Sequence, residues 1–124
     1  MTTPQRHVLL VEDHAPLGRM IEHVLAAVGI KSTLVDSGDA AAALLQSGLR
    51  PDLLLTDIRM PGSLNGLALA RLVRQLYPSI GILLCTGFAD IDTDEFKVLR
   101  KPVDPDVMLA AIETAILRHR QDRA

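Results

Sequence analysis

Tryptophan is absent from this chain, and aromatic residues make up only 2% of it. Because hydrophobic residues still reach 48%, a folded core must be built mainly from aliphatic side chains. The lone cysteine, Cys85, excludes an internal disulfide and fits a reducing compartment. No apolar run approaches the roughly 20 residues that a membrane-spanning helix needs.

The chain also lacks a strong charge of either sign. A net charge of −2 and a pI near 6.0 give no electrostatic case for a nucleic-acid partner. The N-terminal residues lack the apolar segment of a signal peptide, so we expect a cytoplasmic protein without membrane contact. A length of 124 residues fits one compact domain. We expect a single domain over residues 1–124, with a folded core at about 7–118.

Short apolar runs alternate with segments of helical periodicity. The runs at 7–12, 32–35, 52–56, 80–85 and 97–100 predict strands, and 17–28, 39–47, 66–77 and 105–118 predict helices. Such alternation is typical of an α/β fold, a parallel sheet with helices on both faces. The periodicity predicts that Met20, Leu76 and Val107 face the core, and that Arg71 and Arg74 lie on a solvated helix face.

Acidic side chains follow two of the predicted strands. Glu12 and Asp13 come after the first strand, Asp57 after the third, and Lys101 after the fifth. In open parallel sheets, ligands bind at the carboxyl ends of the strands. Adjacent carboxylates repel one another unless a cation relieves them, and Mg²⁺ prefers such oxygen ligands. Each acid alone could instead cap the following helix, but the four residues together favour a site for a divalent cation and a phosphoryl group.

Asp57 is the candidate nucleophile of this site. A carboxylate can form a covalent acyl phosphate, and phosphoryl transfer depends mainly on positioning and charge neutralisation. Thr86 follows the fourth predicted strand, where its hydroxyl can donate to a phosphoryl oxygen. Pro102 follows Lys101, and an X–Pro bond can be cis at modest cost. We therefore expect Lys101 to neutralise charge at Asp57.

The ordered motifs of this chain resemble those of a known family. The residues that carry the resemblance are Glu12-Asp13, Asp57, Met60-Pro61-Gly62, Thr86-Gly87 and Lys101-Pro102. In this order they look like the receiver domain of two-component response regulators. The loop after Asp57 is similar to that of receivers attached to hybrid histidine kinases.

The resemblance implies a flavodoxin-like, doubly wound sheet of five parallel strands in the order 2-1-3-4-5. It implies Mg²⁺ bound by Asp13 and Asp57, with Glu12 acting through water and the backbone carbonyl of Arg59 as a further ligand. It also implies phosphorylation of Asp57 by a sensor histidine kinase or a histidine phosphotransfer protein, with Thr86 and Lys101 sensing the phosphoryl group. The partner that responds to the signal is unknown from sequence.

The chain departs from the family between the fourth and fifth strands. Receivers often carry a switching aromatic residue three positions before the lysine, where this chain has Val98. Phe96 lies two residues before Val98, so strand alternation puts it on the same face, and it is a candidate substitute. The preceding segment, 87–96, has no apolar stripe, so we expect a shortened fourth helix of one or two turns at most.

Two further functions are compatible with these residues. A phosphate shuttle or sink would need the same chemistry but no output surface. An aspartyl-phosphate hydrolase would use similar residues, but it normally has a second acid where this chain has Arg59. His14 and His23 lack the spacing of a zinc site and are expected to be surface residues.

Overall fold

The computed structural model describes residues 5–60, 62, 64–87 and 93–123, with side chains as far as residue 117. Strands and helices alternate along the described chain, as the sequence predicts. They are β1 (His7–Val11), α1 (Ala15–Ala27), β2 (Lys31–Val35), α2 (Gly38–Gln46), β3 (Leu53–Asp57), α3 (Gly66–Leu76), β4 (Gly81–Thr86), β5 (Val98–Arg100) and α4 (Pro105–Arg123).

The strands form one parallel sheet of five strands in the order β2-β1-β3-β4-β5. Val11 at the end of β1 lies opposite both Val35 and Thr56, and Thr86 lies opposite Arg100. The carboxyl ends of the strands are therefore level with one another, and the residues that follow them share one edge. The predicted fold and strand order are confirmed.

Adjacent side chains of the inner strands face opposite sides of the sheet. Leu10 packs against α1 and α4 through Ile21 and Ile112, while Leu9 packs against α2 and α3 through Leu45 and Val73. Continuous apolar strands such as β3 follow from this burial on both faces.

Three hydrophobic residues predicted to face the core are in fact exposed. Met20 is 50% exposed, and Leu76 and Val107 are each 55% exposed. Each of these helices packs on the sheet with one side only, so residues at the margin of the apolar stripe face solvent.

The connection from β4 to β5 contains no helix within its described residues, 87 and 93–97. Most of the predicted short fourth helix falls on residues 88–92, which lie outside the described part. Among the described residues, no helix is both long enough and apolar enough to cross a membrane.

Candidate functional site

Lys101 brings two carboxylates together at the carboxyl edge of the sheet. Its Nζ lies 2.6 Å from Glu12 Oε1 and 3.0 Å from Asp57 Oδ2. Glu12 follows β1, Asp57 ends β3 and Lys101 follows β5, so the strand register produces this contact. The peptide bond between Lys101 and Pro102 is cis, as the sequence suggested.

These charged groups are largely withdrawn from solvent. The side chain of Glu12 is 3% exposed, that of Asp57 12%, and that of Lys101 23%. Burial raises the pKa of Glu12, although the hydrogen bond from Lys101 opposes the change. Burial lowers the pKa of Lys101, but its hydrogen bonds to Glu12 and Asp57 outweigh this and leave the pKa raised. Lys101 therefore remains a cation at neutral pH.

The acidic cluster fits a divalent metal ion. Glu12, Asp13 and Asp57 each offer one carboxylate oxygen, and these oxygens lie within 4.8 Å of one another. Oxygen donors of this kind suit a hard cation such as Mg²⁺. Asp13 is exposed, so a bound ion would keep access to water and to an incoming phosphoryl group. Arg59 lies in the loop leaving β3 and is also exposed.

Hydrogen bonds to the backbone of Asp57 and Ile58 hold the end of β3 in place. The Thr56 hydroxyl donates to the Asp57 carbonyl oxygen at 3.0 Å. The amide of Gly66, at the start of α3, donates to the Ile58 carbonyl at 2.8 Å. A Cβ at position 66 would lie only 1.9 Å from the Asp57 carbonyl oxygen. Glycine is thus required there, because α3 begins in direct contact with the end of β3.

Thr86 and Gly87 border the same edge. Thr86 is fully buried at the end of β4, and its carbonyl accepts a hydrogen bond from the Lys101 amide at 2.8 Å. A Cβ at Gly87 would meet Lys101 Cβ at 3.9 Å, an ordinary contact. Cys85 is buried, and burial raises the pKa of its thiol to about 12. It is a core residue rather than a reactive thiol.

Phe96 and Val98 pack against one small apolar cluster formed by Ile58, Ala70 and Leu84. Phe96, two residues before β5, and Val98 in β5 therefore lie on the same side of the sheet, as the alternation in the sequence predicts. This cluster includes Ile58, which directly follows Asp57, so Phe96 and Val98 are in packing contact with the loop after Asp57.

Two arginines of α3 form an ionic cluster with Glu95 that no local sequence pattern indicates. Arg71 donates to Glu95 at 3.1 and 2.5 Å, and Arg74 donates to Glu95 at 3.2 Å. The Arg74 guanidinium also lies 4.5 Å from the centre of the Phe96 ring. The side chains of Arg71 and Arg74 are 53% and 52% exposed, so the prediction of a solvated helix face is confirmed, but their pairing with Glu95 was not predicted. The partners are more than 20 positions apart in sequence, beyond the range of local charge patterns.

The remaining candidates occupy simpler positions. His14 and His23 are exposed, as predicted for surface histidines. The backbone amide of His14 donates to Glu12 Oε2 at 3.4 Å. In the loop after Asp57, Met60 and Gly62 are described, whereas Pro61 lies outside the described residues.

Comparison with known proteins identifies the class of protein that has this doubly wound sheet and acid–lysine edge. Residues 8–113 match the model of the response regulator receiver domain. The chain therefore belongs to this family, the receiver domains of two-component response regulators.

Similar proteins include regulators much longer than this chain. The DNA-binding transcriptional regulator NtrC of Salmonella typhimurium is 33% identical over 94% of this chain and 26% of its own length. The DNA-binding response regulator MtrA of Mycobacterium tuberculosis is 27% identical over 100% of this chain and 56% of its own length. The chain thus spans about a quarter to just over half of these relatives.

Solved structures agree on the fold. A response regulator receiver protein from Sinorhizobium medicae superposes with a TM-score of 0.86 at 27% identity, covering 95% of this chain and 99% of that one. The N-terminal domain of a three-domain response regulator from Carboxydothermus hydrogenoformans gives 0.88 at 21% identity, covering 96% and 100%. At the latter identity the likeness concerns the fold alone.

Proposed function

We propose that Asp57 is the phosphoacceptor of a two-component phosphorelay and that its Mg²⁺-dependent phosphorylation changes the affinity of the domain for a partner. The observation that carries the proposal is the contact of Lys101 with both Glu12 and Asp57, at 2.6 and 3.0 Å. It places a cation beside the carboxylate that would be modified.

The reaction follows from this arrangement. An Asp57 carboxylate oxygen attacks the phosphorus of a phosphohistidine, the new O–P bond forms, and the N–P bond breaks. The histidine leaves as imidazole and takes up a proton. Asp13, Asp57, Glu12 through water and the Arg59 carbonyl would hold Mg²⁺, which supplies charge neutralisation at the phosphoryl oxygens. Lys101 and the Thr86 hydroxyl bind those oxygens.

The phosphoryl donor would be a sensor histidine kinase or a histidine phosphotransfer protein. On phosphorylation, Lys101 exchanges contact with Glu12 for contact with the phosphoryl group, and Thr86 moves toward it. Such a change shifts a two-state equilibrium of the adjoining loops. Phe96 and Val98, which pack near Ile58, are the proposed switch residues.

We propose that the chain acts as a single receiver domain over residues 1–124. The DNA binding in the names of NtrC and MtrA is a property of those proteins, of which this chain matches 26% and 56%. For the receiver itself, a net charge of −2 supports a protein partner rather than nucleic acid.

Incubation with acetyl phosphate and MgCl₂, followed by intact mass measurement, tests the proposal. The wild type should gain one phosphoryl group, and Asp57→Asn should gain none. Asp36→Asn is the matched control, because Asp36 is an exposed aspartate following β2 at the same edge. Phosphorylation of Asp57→Asn, or of the wild type at equal rate in excess chelator, contradicts the proposal.

The same incubation separates the alternatives. A hydrolase would release phosphate from acetyl phosphate over many turnovers, without a lasting adduct. A phosphate shuttle or sink would pass its phosphoryl group back to a phosphotransfer histidine while amide spectra near Phe96 and Val98 stay unchanged. A switch requires those spectra to change.

A further inference from the structure

A cavity of about 320 Å³ lies between the sheet, α1 and α4. Its walls are almost entirely aliphatic. They include Leu17, Met20, Val24, Leu55, Val103 and Met108. Met20 is 50% exposed, so the cavity has access to solvent along α1.

One end of the cavity is formed by the charged site. Glu12, Asp57 and Lys101 all line it. These groups already pair with one another, since Lys101 Nζ contacts both carboxylates at 2.6 and 3.0 Å. They do not require a ligand of opposite charge inside the cavity, and the methylene groups of Lys101 add to an apolar surface.

Size and chemistry together identify the kind of ligand that fits. Pockets for small molecules usually measure about 300–1,000 Å³ and are lined mainly by apolar side chains. Without a bound metal ion, two carboxylates against one ammonium leave this end of the cavity negative, which disfavours anions. An added cation would have to lose its hydration beside aliphatic walls. An uncharged aliphatic molecule is not repelled by the carboxylates and has no charge to dehydrate.

We propose that this cavity binds a small uncharged aliphatic molecule, and that its occupancy is coupled through Lys101 to phosphorylation of Asp57. The coupling rests on the proposed function. Lys101 lines the cavity and also holds the phosphoacceptor, so a ligand that touches Lys101 makes different contacts before and after phosphorylation. Such differential contact is what links two sites, and the linkage is reciprocal.

Binding is tested on the full chain, unphosphorylated, by following amide NMR signals during titration with n-hexanol, n-hexylamine or hexanoate. Hexanol should shift cavity-lining residues saturably, with the amine and the acid each binding at least about tenfold more weakly. Absence of saturable shifts with hexanol overturns the proposal. Equal or tighter binding of hexylamine or hexanoate overturns the assignment of an uncharged ligand.

Two variants that fill the cavity locate the site. Val24→Phe and Leu17→Phe each place a larger side chain on the α1 wall without altering a charge. Each should weaken hexanol binding at least about tenfold. Val28→Phe is the control, because Val28 is 55% exposed and does not line the cavity. Thermal unfolding shows which variants are folded. If a folded Val24→Phe or Leu17→Phe variant binds hexanol as tightly as the wild type, the molecule does not bind in this cavity.

The coupling has its own readout. Saturating hexanol should change the rate of phosphorylation by acetyl phosphate at least about twofold in the wild type and leave folded Val24→Phe unaffected. An unchanged wild-type rate overturns the coupling but not the binding. A wild type that is never phosphorylated counts against the proposed function alone, because the NMR titration does not depend on phosphorylation.

Discussion

Glu12 and Asp57 are close enough to share Lys101, and the energetics of the site depend on that single cation. Glu12 is 3% exposed, and an uncompensated buried carboxylate is costly. The sequence analysis assigned Glu12 to the metal and Lys101 to charge at Asp57 and to the phosphoryl group, but it did not predict a contact between Glu12 and Lys101. Their contact at 2.6 Å adds a second role for both residues.

Replacing Lys101 by Met should destabilise the domain and tighten its binding of Mg²⁺. We expect a loss of about 2 kcal/mol in unfolding free energy, less than for a fully buried pair, because Lys101 is 23% exposed. Mg²⁺ should bind about tenfold more tightly, since a repelling charge near the carboxylates is worth roughly 1–2 kcal/mol. Urea unfolding with chelator and with MgCl₂ measures both effects.

Lys97→Met serves as the control, because Lys97 is exposed and is the residue just before β5. It should leave both the stability and the Mg²⁺ affinity nearly unchanged. Weaker Mg²⁺ binding by Lys101→Met would show that Lys101 supports the acidic cluster rather than competing with a cation there.

His7 should make the stability of the domain depend on pH. Burial lowers the pKa of His7, the nearby Lys31 lowers it further, and Asp52 opposes them. The unfolded chain therefore binds a proton more readily than the folded one. The domain should therefore keep its full stability at pH values above 6.5, the ordinary pKa of histidine. Its stability should decline as the pH falls below that value.

Measurement of the unfolding free energy from pH 5 to 8 checks this prediction, with His7→Gln as the variant. Gln can keep a hydrogen bond to the Thr33 hydroxyl, which lies 2.7 Å from His7 Nε2, but it does not titrate. The variant should lose part of the pH dependence, whereas His23→Gln, at an exposed position, should retain it. An unaltered slope in His7→Gln would assign the pH dependence to other groups.

The start of α3 lies in very close backbone contact with the end of β3. Gly66→Ala should destabilise the domain by about 3 kcal/mol, because its Cβ would lie 1.9 Å from the Asp57 carbonyl oxygen. Either α3 or the end of β3 must move, so labelling of Asp57 by acetyl phosphate should also slow. Urea unfolding and intact mass measure the two effects.

Gly87→Ala provides the comparison for Gly66→Ala. Its Cβ would meet only Lys101 Cβ, at 3.9 Å, so the cost in stability should stay below about 1 kcal/mol. Equal losses in the two variants would mean that the close approach of α3 to β3 does not determine the effect.

Most elements could be predicted because their signals are local. The Val- and Leu-rich run of β3 and the apolar periodicity of α3 are each visible within a dozen residues. The placement of Asp57, Thr86 and Lys101 followed from one topological rule, that parallel strands end at the same edge. This rule predicts which residues lie at the edge of the sheet, but it does not predict which of their side chains are in contact.

The contacts that escaped prediction join distant segments. Glu95 meets Arg71 and Arg74 from more than 20 positions away, and the cavity beside Lys101 exists only once α1 and α4 are packed on the sheet. Met20 and Val107 were predicted to face the core but are exposed. The helical period shows where the apolar stripe of a helix lies, but it does not show how wide the buried part of that stripe is. Such features depend on the whole fold.

The sheet has an apolar core on each face. Neighbouring residues of β1 belong to different cores. Leu9 is fully buried against α2 and α3, and Leu10 is 2% exposed against α1 and α4. Both faces must be covered for the fold to hold, so truncation on either side should be costly.

Leu9→Ala and Leu10→Ala should each therefore lower the unfolding free energy by about 3 kcal/mol. Domains of this kind are stable by roughly 5–15 kcal/mol, so the double variant, with about 6 kcal/mol less, should lose a large share of its stability. Val28→Ala, at a residue 55% exposed, should change stability by less than about 0.5 kcal/mol. Urea unfolding followed by circular dichroism measures all four chains. If only one of the leucines proved costly, a single core would support the sheet, and the helices on the other face would be dispensable for stability.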